Sequence, residues 1–358
     1  MKLLLISIFS VFFLLPSVFS QDESEKVDKI LSSYYGENTP GIGVMVLKND
    51  EVVAKKTYGF ANLEKKEKNS FRTNFNLGTL SEQFVVVTAL MLEEQGRLDV
   101  KSRLSDHFQG IPDYCKHVKV SNLLNHNSGL PLLPRTRFTK DIKNKNDLLT
   151  FLDKKDKLLF KPGKKAGWNV VNYGLLAAIV NSKLKTSFHK YIKRNVFKPL
   201  GMDNSKVYRD GWFFSISDKA PGYLRLQGGK FRKVELKNDD YIPGTTGIYS
   251  NLEDMKKWLN VWKKDTLLSG STLSKVSRIN FVRGQSEFPG YGWKRSFNKG
   301  KKYFYAGGLS EGNTHLLLRF PSAHVDVIIL SNQSSLFNLR ENAFKLLNLF
   351  TEKEYEVK

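Results

Sequence analysis

Apolar residues follow two rhythms along this chain. Gly41–Leu47 is an unbroken apolar run rich in Val and Ile, and Glu51–Tyr58 returns after the polar pair Asn49-Asp50. Late in the chain, Tyr303–Ala306, Thr314–Phe320 and Val325–Leu330 repeat the pattern, with breaks at Gly312-Asn313 and Pro321-Ser322. Short apolar, β-branched runs between turn-forming residues predict strands joined by hairpins. Glu25–Tyr35, Thr79–Gln95 and Leu336–Phe350 have the spacing of helices, and Gly78 and Gly96 bracket the second. The stretch from about Leu98 to Asn238 is helical and loop-rich. Strands at both ends with helices between them predict an α+β fold, an antiparallel sheet covered by terminal helices with a mainly helical lobe inserted. The expected sheet lobe is about 25–75 plus 240–352 and the helical lobe about 76–239, within one domain over 21–358.

The first twenty residues have a different pattern. Lys2 precedes an apolar run from Leu3 to Leu15, Pro16 breaks it, and Val18-Phe19-Ser20 offers a cleavage site before Gln21. That order predicts a secretory signal peptide and a secreted or periplasmic protein. The run is short for a membrane span, and no later segment has the length and apolarity of one. Cys115 is the one cysteine, so no internal disulfide is expected and stability must come from the core. With 358 residues and 41% hydrophobic residues, the chain has material for one.

Charge adds a surface property. There are 57 Lys and Arg against 35 Asp and Glu, a net +22. The lysines occur singly or in pairs such as Lys164-Lys165, Lys256-Lys257 and Lys301-Lys302, which reads as a solvated basic surface able to meet anionic envelope polymers. The aromatic interleaving of a nucleic-acid module is missing, so no specific nucleic-acid partner is expected. His107, His117, His126, His189, His315 and His324 have no metal-ligand spacing; they read as ordinary loop and surface residues, and no metal or cofactor is expected.

Several segments carry a family pattern. Val118–Leu130 contains Leu123-Leu124-Asn125-His126-Asn127-Ser128-Gly129-Leu130; Phe160-Lys161-Pro162-Gly163, Val196–Met202 and Gly247–Trp258 follow. Together they resemble the beta-lactamase-like serine hydrolases, in the branch of class C beta-lactamases and related esterases, over about Val27–Phe350. The resemblance implies an active site in a cleft between two lobes. It also implies three catalytic motifs: Ser-x-x-Lys opening a helix, Tyr-x-Asn, and Lys-Thr-Gly or His-x-Gly on a strand.

All three are altered here. Thr79 and Glu82 stand at the serine and lysine positions; Trp168 and Val170 replace the tyrosine and asparagine, with the register set by Asn172-Tyr173; Ala306 stands where the histidine or lysine would be, ahead of Gly307-Gly308-Leu309. A carboxylate is a weak base at neutral pH, indole cannot accept or relay a proton, and valine has no polar atom. The glycines still allow backbone to approach a ligand, and backbone donors near Thr79 and Leu309 would remain as an oxyanion hole. Thr79, Trp168, Asn169, Gly307, Gly308 and Leu309 are the expected lining of the cleft. The expected function is a pseudoenzyme binding a small-molecule or peptide-like ligand; a remodelled hydrolase using Thr79 and a basic surface-binding protein stay open. Ser182–Lys185, Ser187–Lys190 and Ser296–Lys299 also spell Ser-x-x-Lys, but none opens the corresponding helix.

Overall fold

A computed structural model describes residues 21–134, 141–208, 216–234, 242–278, 285–334, 336 and 338–357. The expected signal peptide at 1–20 lies outside the described residues.

The centre of the fold is an antiparallel sheet of seven strands: β1 (Ile42–Lys48), β2 (Glu51–Tyr58), β3 (Phe288–Gly290), β4 (Trp293–Asn298), β5 (Lys301–Ser310), β6 (Asn313–Phe320) and β7 (Val325–Ser331). Their spatial order is β3-β4-β5-β6-β7-β1-β2, so the last strand of the chain's second half pairs with the first strand of its beginning. The β1–β2 turn is made by Asn49 and Asp50, with φ of 52° and 68°. Asn and Asp tolerate this left-handed region, and two such residues make the turn whose twist suits a hairpin.

The unbroken apolar runs follow from burial on both faces. Along β1, Val44 and Val46 enter one core while Met45 and Leu47 enter another; along β7, Val325, Val327 and Ile329 alternate with Ile328 and Leu330 in the same way. Successive side chains of a strand point to opposite faces, so a strand buried on both sides loses its polar alternation. The first core is closed by α1 (Gln21–Leu31) and the C-terminal helix Leu339–Asn348, through Val27, Leu31, Ala343, Phe344 and Leu347. The second is shared with the helical lobe.

Within that lobe, α2 (Glu82–Glu94) and α3 (Val170–Lys183) are buried on nearly all sides and pack together. Phe84 of α2 stacks on Trp258 at 3.8 Å and meets Phe197 edge-on at 5.8 Å. Burial of one such ring contributes about 1.5–3 kcal/mol.

The structure departs from the expected elements in specific places. The helix expected from Thr79 begins as a 3-10 turn, Gly78–Ser81, and becomes α-helical only at Glu82. The strand expected at Tyr303–Ala306 runs from Lys301 to Ser310, because its glycines keep pairing with β6. β3 and β4 were not expected; Tyr291 and Gly292, at φ 53° and 79°, form the turn between them. The stretch expected to be helical also contains a strand pair, Gly222–Arg225 with Phe231–Val234.

Candidate active site

The Asn76–Glu82 segment is strapped to the sheet before it becomes a helix. β4 pairs with β5 only as far as Tyr305, which leaves one edge of the Ala306–Ser310 stretch without a strand neighbour. The 3-10 turn lies against that edge. Gly78 has φ 54°, and a Cβ there would sit 2.3 Å from the Leu309 carbonyl oxygen, so only glycine permits the approach. Gly78 N–H is accepted by the Asn76 side chain at 3.1 Å, and Leu77 N–H by Ile248 O at 2.8 Å. His315 of β6 holds the segment from beneath: its Nε2 donates to Asn76 O at 2.7 Å and its Nδ1 accepts Ser331 N–H at 3.2 Å. Full burial pushes its pKa down to about 4.

Thr79 lies at the centre of this contact, 9% exposed. Its hydroxyl donates to the Gly307 carbonyl at 3.3 Å and accepts the Leu309 N–H at 3.1 Å. Glu82, one turn on, is buried, and both residues line a cleft of about 280 Å³.

The helical lobe supplies an aromatic side to the cleft. His126, at φ 49°, is 4.1 Å from the Tyr173 ring and 6.3 Å from Trp168, centroid to centroid. Its Nδ1 accepts Asn169 N–H at 3.2 Å, and burial lowers its pKa to about 3, so it stays a neutral imidazole with the proton on Nε2. The Tyr173 hydroxyl donates to Leu124 O at 3.2 Å and accepts Gly292 N–H at 2.8 Å. Burial and, to a lesser extent, the nearby Glu82 push its pKa far up, so it stays protonated at neutral pH. Gln83 accepts from Trp258 Nε1 at 2.8 Å and donates to Gly292 O at 2.9 Å, which pins the β3–β4 turn against α2.

From the sheet come Trp293, Lys294, Ala306, Gly307 and Leu309. Lys294 is 3.9 Å from the Glu287 carboxylate and 5.5 Å over the Tyr305 ring. Arg295, 1% exposed, does not reach into the cleft with its guanidinium; its nitrogens donate to the carbonyls of Val276, Arg278, Phe288 and Pro289.

A family profile described as Beta-lactamase matches residues 27–349. This chain belongs to the beta-lactamase family. It is 26% identical over 338 residues to Protein flp of Staphylococcus aureus (strain N315), covering 88% of this chain and 64% of that protein. It therefore spans about two thirds of the length of that relative. Penicillin-binding protein 4* of Bacillus subtilis (strain 168) is 26% identical over 311 residues, covering 81% of this chain and 67% of its own. Among solved structures, the octameric penicillin-binding protein homologue from Pyrococcus abyssi superposes with a TM-score of 0.79 at 22% identity, over 93% of this chain and 78% of that one. A class C beta-lactamase superposes at 0.77 and 18% identity, over 94% and 99%. These structures establish the beta-lactamase and transpeptidase-like fold.

Of the residues expected to line the cleft of this beta-lactamase-family chain, Thr79, Trp168, Gly307 and Leu309 do so, as do the altered motif positions Glu82 and Ala306. Asn169 does not: it caps α3 by accepting Val171 N–H and donates to Leu130 O and Pro131 O at 3.0 and 3.3 Å. Gly308 faces away, where a Cβ would meet Leu77 O at 2.6 Å and His315 at 2.9 Å. Val170, at the second motif's asparagine position, is 3% exposed and belongs to the core. The expectation that the histidines are loop and surface residues is corrected for His126 and His315, which are fully enclosed. The sequence reading also omitted Tyr173, Trp293 and Lys294; Tyr173 was legible in the Asn172-Tyr173 pair, whereas Trp293 and Lys294 carry no motif signal.

Proposed function

We propose that this beta-lactamase-family chain is an exported pseudoenzyme that binds a small-molecule or peptide-like ligand in its cleft without hydrolysing it. One observation carries the reading: the Thr79 hydroxyl is held at both ends by β5 backbone, its proton on Gly307 O and its oxygen against Leu309 N–H. A nucleophile needs a base to take its proton, and the transition state needs the backbone donor that Thr79 occupies here. The other carriers are equally committed. Glu82 replaces the lysine base, Trp168 cannot relay a proton, Ala306 has no functional group, and the hydroxyl of Tyr173 is bound to backbone at both of its functions. Parts of a catalytic unit act together, so loss of several removes nearly all rate enhancement.

Intact-mass labelling with a beta-lactam and a fluorophosphonate is the test, with nitrocefin and p-nitrophenyl ester turnover measured on the same protein. The expected result is no adduct and no turnover above a denatured control. A stoichiometric adduct on Thr79 would establish the remodelled hydrolase instead. Export predicts a mature chain that begins at Gln21 on N-terminal sequencing, and a sequence that returns Met1 refutes it. The +22 charge supports salt-sensitive binding to anionic envelope polymers as a property of the surface, separate from the cleft.

A further inference from the structure

We propose that the cleft selects a small organic cation with an apolar body, and disfavours carboxylated ligands. The inference rests on the reading of the cleft as a binding site. Relative to the family pattern, the cleft has exchanged a lysine for a carboxylate at Glu82 in the first motif and has lost a polar side chain at Ala306, the histidine position of the third. Of the nearby cations, Lys294 lines the cleft and Arg295 is buried outside its lining, and both are engaged. Lys294 is shared between Glu287 and the Tyr305 ring, and Arg295 is spent on backbone carbonyls.

Glu82, 4% exposed, lies in the first turn of α2, where the partial positive charge of a helix start offsets part of the cost of burying a carboxylate. A bound cation favours the ionised form, and a ligand carboxylate would meet a like charge. Trp168, Tyr173 and Trp293 line the same cleft, and aromatic faces attract ammonium groups, Trp most strongly. A volume of about 280 Å³ suits a ligand at the small end of the usual range. The overall positive charge does not reverse this preference, since exposed lysines beyond a Debye length of about 8 Å are screened at physiological salt.

The experiment uses three probes of matched shape on the full chain: benzyltrimethylammonium, benzyl alcohol and phenylacetate, titrated by calorimetry and tryptophan fluorescence. The cation is expected to bind at least about tenfold tighter than phenylacetate. Glu82→Gln keeps the side-chain shape and should weaken the cation about tenfold while leaving benzyl alcohol unchanged. Trp168→Ala, at a side chain 38% exposed and therefore safe for the fold, should weaken the cation by about threefold or more. Circular dichroism confirms that each variant is folded, and the Trp168 variant carries the test if Glu82→Gln is not. The proposal is overturned by phenylacetate binding as tightly as the cation, by unchanged cation affinity in folded variants, or by no saturable cation binding tighter than about 10 mM. Ester turnover in the same samples would overturn the pseudoenzyme reading; loss of cation preference without turnover overturns this inference alone.

Discussion

Replacing Thr79 by valine separates a structural hydroxyl from a catalytic one. The substitution keeps the branched shape and deletes the oxygen that joins the 3-10 turn to Gly307 O and Leu309 N–H. Each lost bond is worth about 1 kcal/mol net when its partner is left near solvent, and more when it is left dry. Gly307 and Leu309 are exposed, so the lower figure applies and the total is about 2 kcal/mol. With an unfolding entropy of about 2.1 cal/mol/K per residue, a chain of this size should lose about 3 °C in Tm. Thr79→Ser keeps the hydroxyl and should recover most of the loss. Differential scanning calorimetry of the three proteins makes the comparison. A valine variant as stable as the parent, or more stable, refutes the reasoning, because removing a strained catalytic group often costs no stability or adds some.

Three further outcomes follow from the same geometry. Gly78→Ala should destabilise by about 3 kcal/mol or more, since it combines left-handed backbone with a backbone clash, whereas Gly96→Ala, at φ 66° with open space around it, should cost about 1–2 kcal/mol; similar urea midpoints for the two would contradict the strapped turn. His126 and His315 have folded pKa values near 3 and 4 against 6.5 when unfolded, so the unfolded chain binds more protons as pH falls from 6.5. Their contribution is complete above 6.5 and declines by about 1.4 kcal/mol per pH unit for each histidine down to the folded values, which urea titrations at pH 7 and pH 5 would reveal as a loss or, in refutation, as equal stability. Thr79→Ser with Glu82→Lys should restore almost no nitrocefin hydrolysis, because Trp168 and Ala306 remain; robust turnover from the double variant would mean that catalysis does not need a proton relay at those two positions.

The parts of the fold that were legible in the sequence are those with a single cause. β6 and β7 are legible to within one residue because double-sided burial leaves an apolar run that only turn residues interrupt, and half-buried β2 to its observed limits because the Asn49-Asp50 turn fixes its start. β4 was missed because Trp293–Asn298 carries Lys294 and Arg295, and charge argues against a core strand. Arg295 is nevertheless among the most buried large side chains, its donors met by carbonyls that tertiary structure alone brings together. The cleft divides in the same way. Thr79, Glu82, Trp168 and Ala306 were found through spacing. Asn169 follows Trp168 in sequence and was expected beside it in the cleft, and only the fold reveals the carbonyls of Leu130 and Pro131 that take its amide. The bidentate hold on Thr79 depends on where β4 stops pairing, which no local pattern reports.

The two cores on opposite faces of the sheet bear on how such a cleft can change over evolutionary time. Every altered motif position belongs to the side shared with the helical lobe, while α1, the C-terminal helix and half of the strand side chains close a separate apolar layer behind it. Substitutions in the cleft therefore leave the packing that joins the two ends of the chain intact. A lineage of this architecture can lose its chemistry in several steps, each tolerated by selection for foldedness, and can acquire a different ligand before the scaffold is at risk.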